Sequence, residues 1–178
     1  MPYDRTIRRA SGPVDGERGN DMRRRTFMMG VAACSTAPAA IHAATEGSFE
    51  VTRSEAEWRA MLDEMEYDVM RGEGTEPPFS SPLNAISEEG TYRCKGCDQA
   101  LYPSRTKYES GTGWPSFWEA LPAAVGTKPD RGLFTVRTEV HCDRCGSHLG
   151  HIFDDGPEPT GKRHCLNGVS LTFAPAAV

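Results

Sequence analysis

The chain has 178 residues, a formal net charge of −5 at pH 7 and 25% charged residues. This length is enough for one domain with a hydrophobic core plus terminal segments. The acidic balance argues against a nucleic-acid partner, because phosphate backbones are bound by basic surfaces. The sequence has no apolar run long enough to span a bilayer, so we predict no transmembrane segment.

Two N-terminal segments are predicted to precede the folded domain. Residues 1–21 show no hydrophobic periodicity and are predicted to form a disordered leader, which is not translated if Met22 is the true start. Residues 22–44 join a basic cluster to a short apolar run and small residues, which is typical of an export signal. The adjacent Arg24 and Arg25 resemble a twin-arginine signal. We therefore expect a periplasmic or otherwise extracytoplasmic protein; the alternative is a cytoplasmic protein with a disordered basic N-terminus.

Cys34 lies within this predicted signal and has a second interpretation. Residues 31–34, Val-Ala-Ala-Cys, resemble the cleavage box of bacterial lipoproteins. Cleavage there would make Cys34 the first residue of the mature protein and attach it to a lipid. The sequence therefore allows two outcomes: Cys34 anchors the protein to a lipid, or the whole segment is removed.

The first predicted element of the folded domain is a helix. Ser54 and Glu57 have the spacing of a capping box, in which each side chain binds the backbone of the other residue. Apolar residues then recur at helical spacing: Trp58, Met61, Leu62, Met65 and Val69. This pattern predicts one helix over about residues 54–70 that turns these side chains to the core.

From Thr91 onward the pattern changes to short β-branched and aromatic segments separated by Gly, Pro and Asp. This punctuation is typical of antiparallel strands. The clearest predicted strand is Leu133–Val140, in which side chains alternate between two faces. The chain is therefore predicted to be mainly β with an N-terminal helix.

Four of the six cysteines form two C-x-x-C pairs, Cys94 with Cys97 and Cys142 with Cys145. A C-x-x-C turn directs both sulfurs to one centre, and two such turns complete the tetrahedron of a structural zinc ion. We predict one four-cysteine zinc ion that joins two distant segments of the β domain. Alternatives are a redox dithiol at one pair, disulfides at both pairs, or a histidine ligand in place of one cysteine.

Cys165 is the remaining cysteine outside the predicted signal. If its segment is a strand, Arg163 and Asn167 project from the same face as Cys165. An arginine beside a thiol stabilises the thiolate and lowers the thiol pKa, and an amide can donate to a developing oxyanion. His148 and His151, three residues apart, could supply a proton. Cys165 is thus a candidate nucleophile, with a buried core cysteine as the alternative.

Several spaced motifs together resemble the methionine sulfoxide reductase B family. They are Gly111–Phe117 (GTGWPSF), Ser147–Pro157 (SHLGHIFDDGP), Arg163–Asn167 (RHCLN) and Glu76–Asn84 (EPPFSSPLN). The resemblance covers about residues 53–174, which we take as the domain. It implies a small fold of two antiparallel sheets, stabilised in many members by a four-cysteine zinc.

The resemblance also implies an activity and its partners. The expected activity is the reduction of methionine-R-sulfoxide in oxidised proteins and peptides, which is one of two epimer-specific repair reactions. The expected chemistry leaves a cysteine sulfenic acid, which a thioredoxin-like thiol reductant recycles. We expect a monomer that acts without a nucleic-acid partner.

Site residues follow from the resemblance, position by position. Cys165 matches the nucleophile, His151 is predicted to be the acid that protonates the sulfoxide oxygen, His148 to orient it, and Asn167 to hold the geometry. The predicted substrate-binding residues are Trp114, Phe153, Asp155 and Arg163, of which Trp114 and Phe153 form the aromatic pocket for the terminal methyl group. On its own, Trp114 would be interpreted as a core aromatic residue.

The chain departs from part of the family at Thr112, where some members carry a resolving cysteine. We therefore expect a reductant to attack the Cys165 sulfenic acid directly, or Cys34 to resolve it. The competing functional class is a non-enzymatic zinc-ribbon-like binding module, because fold likeness does not fix function. A thiol–disulfide oxidoreductase is disfavoured, because neither C-x-x-C pair opens a helix after a strand.

Overall fold

A computed structural model describes residues 49–131 and 135–177. The predicted leader, the predicted export signal and Cys34 lie outside the described residues. Leu133, at the start of the predicted strand, also lies outside them. Within the described ranges, no helix combines the length and apolar character needed to cross a membrane.

The predicted N-terminal helix is two helices, α1 (Glu55–Met61) and α2 (Glu64–Gly72). The prediction of one continuous helix was wrong because it overlooked a second capping box. Leu62 is extended, and Asp63 then caps α2 by accepting from the backbone N–H of Glu66, whose side chain binds Asp63 in return.

The break rotates α2 relative to the assumed single helix and changes which residues are buried. Trp58, Leu62 and Val69 are buried as predicted, whereas Met61 and Met65 are 42% and 43% exposed. The predicted core positions of these two methionines were therefore wrong.

The described strands form two antiparallel sheets, as predicted. A three-stranded sheet has the order β2-β1-β9, and a six-stranded sheet has the order β3-β4-β8-β7-β6-β5. The strands are β1 (Gly90–Cys94), β2 (Ala100–Pro103), β3 (Lys107–Tyr108), β4 (Ser116–Phe117), β5 (Val125–Arg131), β6 (Val136–Cys142), β7 (His148–Phe153), β8 (Arg163–Leu166) and β9 (Leu171–Pro175). The strand predicted over Leu133–Val140 corresponds to β6, which extends to Cys142.

The core lies between the sheets and beneath the two helices. Its fully buried side chains come from both sheets and include Tyr92, Leu101, Tyr102, Phe117, Val140, Leu149 and Leu166. Tyr92 and Phe117 pack edge to face, with ring centroids 4.9 Å apart. This contact joins the two sheets, because Tyr92 lies on β1 and Phe117 on β4, and aromatic side chains bury large apolar areas.

The helices pack directly on the first C-x-x-C turn at Gly96. A Cβ atom at Gly96 would lie 3.0 Å from Met70 Cε and 3.1 Å from Trp58 Cζ3. Arg53 Nη1 donates to the Gly96 carbonyl at 3.1 Å and its guanidinium lies over the Trp58 ring. Helices α1 and α2 therefore pack on the first C-x-x-C turn, and a side chain at Gly96 would disturb this packing.

Candidate active site and metal centre

The two C-x-x-C pairs converge at the junction of the sheets. Cys94 ends β1 in the three-stranded sheet, and Cys142 ends β6 in the six-stranded sheet. Each strand end is followed by a turn that returns to it: Asp98 N donates to Cys94 O at 2.8 Å, and Gly146 N donates to Cys142 O at 2.9 Å. These matching turns direct all four sulfurs inward.

The four sulfurs fit one tetrahedral zinc ion. All lie within 4.8 Å of one another, with Cys94 Sγ 3.7 Å from Cys145 Sγ and Cys97 Sγ 3.5 Å from Cys142 Sγ. Zn–S bonds of about 2.3 Å require sulfurs about 3.8 Å apart. Hydrogen bonds, chiefly from Cys142, lower the pKa of Cys145. This cluster is consistent with one zinc ion, and no histidine is needed as a ligand.

Cys165 lies at a separate, small cavity of about 140 Å³. The strand β8 that carries it runs between β4 and β7, and its Cα is in register with His151 on one side and Ser116 on the other. The residues that line the cavity are Thr75, Trp114, Arg137, Gly150, His151, Phe153, Cys165, Leu166 and Asn167. Of the predicted site residues, the structure thus brings Cys165, His151, Asn167, Trp114 and Phe153 to one cavity.

Gly150 allows β7 and β8 to approach at this cavity. A Cβ atom at Gly150 would lie 2.1 Å from the Cys165 carbonyl oxygen, and the residue has a φ of +156°. Strand β7 can carry His151 next to Cys165 because Gly150, the residue before it, has no side chain.

Burial raises the pKa of the Cys165 thiol. The hydrogen bond with Thr112 and the charge of Arg163 oppose this effect but do not reverse it. Arg163 thus lowers the pKa of Cys165 as expected, but the larger effect of burial leaves that pKa above its ordinary value. In the resting site the protonated thiol is favoured, so its nucleophilic form must be stabilised when the reaction begins.

Arg163 and Asp155 form a bidentate ion pair beside Cys165. Arg163 Nε and Nη2 each lie 2.8 Å from an oxygen of Asp155, and the guanidinium lies 4.4 Å from the centroid of the Phe153 ring. Neither Arg163 nor Asp155 lines the cavity. Their contacts support the aromatic wall and leave the positive charge of Arg163 close to the sulfur.

His151 faces the cavity with one nitrogen occupied. Its Nε2 lies 2.8 Å from Asp130 Oδ2, and Arg137 Nη2 donates to the same oxygen at 2.6 Å. Burial is the main cause that lowers the pKa of His151, and the hydrogen bond with Asp130 partly offsets it. The imidazole is therefore neutral near pH 7 in the resting site.

His148 lies behind His151 and does not line the cavity. It is 2% exposed, its Nδ1 lies 2.9 Å from Glu139 Oε1, and its ring centroid is 5.3 Å from that of His151. Lys128 Nζ lies 3.2 Å from the other oxygen of Glu139. This arrangement fixes the His148 ring against His151, so His148 can influence the cavity only through its neighbour.

Asn167 and Trp114 are both tied to Glu76. Asn167 Oδ1 accepts from Glu76 N at 3.0 Å, and Trp114 Nε1 donates to Glu76 O at 3.0 Å. The buried Glu76 carboxylate accepts in turn from the backbone N–H groups of Gly168 and Val169, at 2.6 and 3.0 Å. Asn167 Nδ2 donates to Leu149 O, so its amide is engaged in holding backbone segments.

Sequence reasoning missed Thr75, Glu76, Asp130, Arg137 and Glu139 as parts of this site. Arg137 and Glu139 had a usable signal, because two charged residues alternate on one face of a strand. Glu76 had a signal only as the first residue of the Glu76–Asn84 motif, to which no role in the site was assigned.

Comparisons with known proteins identify relatives of this chain. Residues 62–175 match the SelR domain family. The peptide methionine sulfoxide reductase MsrB of Methanosarcina barkeri is 53% identical over 124 residues, which cover 69% of this chain and 87% of the relative. The MsrB of Methanosarcina mazei is 50% identical, over 70% of this chain and 89% of the relative. The MsrB of Agrobacterium fabrum is 47% identical, over 71% and 94%.

Proposed function

This chain belongs to the SelR domain family of peptide methionine sulfoxide reductases, and we propose that it reduces methionine-R-sulfoxide in proteins and peptides with Cys165 as its nucleophile. The observation that supports this most strongly is that Cys165, Trp114 and His151 line one small cavity. Its size suits the end of a side chain, and its walls combine a sulfur, an aromatic face and a titratable ring.

In the proposed first half-reaction, the Cys165 thiolate attacks the sulfur of the sulfoxide. The S–O bond of the substrate breaks, and the oxygen with one proton ends on Cys165 as sulfenic acid. Methionine leaves with its sulfur reduced by two electrons, while the Cys165 sulfur is oxidised by two. His151, neutral in the resting site, is proposed to take the thiol proton of Cys165 as the thiolate forms. It then acts as the acid and gives this proton to the sulfoxide oxygen, whose proton affinity rises as the S–O bond breaks.

Trp114 is the proposed source of epimer selectivity. Its indole N–H is held by Glu76 O, so the ring presents its apolar face and no donor to the cavity. A methyl group packs well on such a face, whereas the sulfoxide oxygen must turn towards His151. Turnover of free R- and S-sulfoxides tests this directly, and equal rates would contradict the assignment.

The second half-reaction is proposed to need two thiols of an external reductant. The first thiol displaces water from the sulfenic acid and forms a mixed disulfide, and the second releases Cys165 as the thiol. Thr112 carries no sulfur, so a thioredoxin-like dithiol must attack Cys165 itself unless Cys34 intervenes. A mass spectrum after one turnover distinguishes the two routes, because a Cys34–Cys165 disulfide would rule out direct attack.

The decisive test of the activity is the Cys165→Ser variant. We expect loss of sulfoxide reduction to the uncatalysed background with zinc content unchanged, and Cys34→Ser as the matched control should keep full activity with dithiothreitol. Undiminished turnover by Cys165→Ser would refute the nucleophile. A protein that binds zinc but lacks turnover in its native form would favour the zinc-ribbon-like binding module.

We also propose that residues 22–44 export the folded protein to an extracytoplasmic compartment. The support is the pair Arg24 and Arg25 followed by a short apolar run. An Arg24→Lys/Arg25→Lys variant should remain in the cytoplasm while the native chain is exported. The N-terminal residue and mass of the mature protein then show whether Cys34 is removed or carries lipid.

A further inference from the structure

Three hydroxyl side chains form a continuous hydrogen-bonded chain that begins at the Cys165 sulfur. Thr112 Oγ1 lies 3.8 Å from Cys165 Sγ, within the range of hydrogen bonds to sulfur. Ser110 Oγ lies 2.9 Å from Thr112 Oγ1 and 2.7 Å from Ser116 Oγ. Ser116 Oγ donates to the carbonyl oxygen of Trp114 at 3.1 Å, where the chain ends.

The last bond sets the direction of all the others. Each hydroxyl has one proton to donate. Because Ser116 donates its proton to the Trp114 carbonyl, it must accept from Ser110, and Ser110 must accept from Thr112. Thr112 has then no proton left for the sulfur and must accept from the Cys165 S–H. In the resting site every hydrogen bond points away from Cys165.

A thiolate cannot donate, so this direction fails when Cys165 loses its proton. We propose that Ser110, Thr112 and Ser116 are positioning residues whose hydrogen bonds reverse together, so that Thr112 donates to the anionic Cys165 sulfur and Ser116 gives up its bond to Trp114. This inference rests on the proposed function only in taking the Cys165 anion as the reacting species.

The reversal accounts for two features of the site at once. The Thr112 hydrogen bond lowers the pKa of Cys165 against the larger raising effect of burial, as expected of a group that donates to the anion. The reversed chain places a charge-assisted hydrogen bond on the nucleophile when it is needed, and such bonds are the stronger kind. The resting chain connects the sulfur to the backbone of Trp114, a residue that lines the cavity.

Other groups face Cys165 and remain constant in the experiments below. The Arg163 charge on β8 favours the anion, while Asp155, paired with Arg163, and Tyr108 on β3 oppose it. His151 on β7 and Arg137 on β6 line the same cavity. Because none of them belongs to the hydroxyl chain, substitutions at Thr112 or Ser116 change the chain and leave these charges in place.

The first test replaces the hydroxyl next to the sulfur. The Cys165 pKa is measured on the full-length, zinc-loaded chain from the pH dependence of alkylation by iodoacetamide, followed by mass spectrometry on the peptide that contains Cys165. Thr112→Val should raise this pKa by about one unit, because the anion loses its donor. Thr112→Ser restores a hydroxyl and should return the pKa close to the native value.

The second test removes the bond that sets the resting direction. In Ser116→Ala the Trp114 carbonyl lacks its hydroxyl donor in both protonation states, so reversal no longer breaks a bond. This variant should therefore lower the Cys165 pKa by about half a unit, opposite in sign to Thr112→Val. Thr160→Val is the matched control: its hydroxyl donates to the Trp118 carbonyl away from the cavity, and its loss should leave the Cys165 pKa unchanged.

These outcomes separate the proposal from simpler ones. An unchanged or raised pKa in Ser116→Ala would overturn the reversal and leave Thr112 as a single local contact. An unchanged pKa in Thr112→Val would overturn the whole inference. Alkylation does not require sulfoxide turnover, so failure of the proposed enzymatic function would be seen separately, in the Cys165→Ser assay. Circular dichroism and zinc content confirm that each variant is folded.

Discussion

His151 Nε2 lies 2.8 Å from Asp130 Oδ2, so a carboxylate on β5 holds the ring that lies in register with Cys165 on β8. The Asp130 hydrogen bond raises the pKa of His151 against the larger lowering effect of burial. Replacing Asp130 by Asn should therefore lower the His151 pKa further. Activity that needs protonated His151 is lost as pH rises through this pKa, so the loss should begin at a lower pH, with kcat reduced about tenfold near neutrality.

The pH–rate profile of Asp130→Asn with a methionine-R-sulfoxide peptide is the measurement. Asp154→Asn is a suitable control, because the exposed Asp154 carboxylate pairs with Lys162 and does not line the cavity. A profile of Asp130→Asn identical to that of the native chain would show that His151 is not the acid.

Glu76 is predicted to be the main support of the cavity wall. Glu76→Gln replaces one carboxylate oxygen by an NH₂ group that cannot accept from the Gly168 or Val169 backbone N–H. We expect the free energy of unfolding to fall by about 1–3 kcal/mol, as for other unsatisfied buried groups. Urea titration measures it, and Glu73→Gln on the exposed surface should change it little.

The Glu76 carboxyl also predicts a pH dependence. Burial raises its pKa, in spite of the hydrogen bonds from Gly168 and Val169. Because the pKa of Glu76 is higher in the folded state than in the unfolded state, the folded state binds this proton more tightly. The stability that this proton contributes is therefore fully present below the unfolded-state pKa and is lost as the pH rises through the folded-state pKa. The stability difference between the native chain and Glu76→Gln should therefore shrink over that range. A difference that grows with pH would contradict the raised pKa.

Removal of zinc should unfold the domain, since the metal centre joins β1 of one sheet to β6 of the other. Chelation, or Cys97→Ser, is expected to abolish the cooperative thermal transition or lower its midpoint strongly. Cys165→Ser is the matched control, because it also exchanges a half-buried cysteine for serine but should keep both zinc and the transition. A stable metal-free protein would contradict a structural role for the ion.

Gly96→Ala tests the contact between the helices and the cysteine turn. The added methyl group would meet the buried Trp58 ring and Met70, so we expect a loss of about 1–3 kcal/mol in the free energy of unfolding. Gly72→Ala, at the end of α2, has room for the methyl group and should instead stabilise the protein by about 0.5–1 kcal/mol. If Gly72→Ala were also destabilised, a methyl group would be harmful at both glycines. The loss in Gly96→Ala could then not be assigned to packing on the cysteine turn.

Local patterns in the sequence were sufficient for the β class, the two-sheet fold implied by the family resemblance, and the four-cysteine cluster. C-x-x-C spacing fixes the turn geometry within four residues, so Cys94 and Cys97 could be recognised without a structure. Helix α2 was missed although its signal was equally local, because the hydrophobic spacing continues through Leu62 and hides the second cap.

The rest of the site depends on pairings that no local pattern contains. Glu76 meets Asn167 across 91 positions of sequence, and His151 meets Asp130 through two intervening strand contacts, β7 on β6 and β6 on β5. The pKa of Cys165 also depends on how deeply the thiol is buried, and this depth cannot be inferred from the arginine two residues away in the sequence. Such properties follow from strand order and depth, and both require the folded chain.

The strand that carries Cys165 is hydrogen-bonded along both of its edges, to β4 and to β7. The nucleophile therefore cannot swing outward to meet a second reactant, and each thiol that regenerates it must come to the mouth through which the sulfoxide entered. Oxidised peptide and reductant should consequently take turns, giving parallel double-reciprocal plots and inhibition of regeneration when sulfoxide is in large excess.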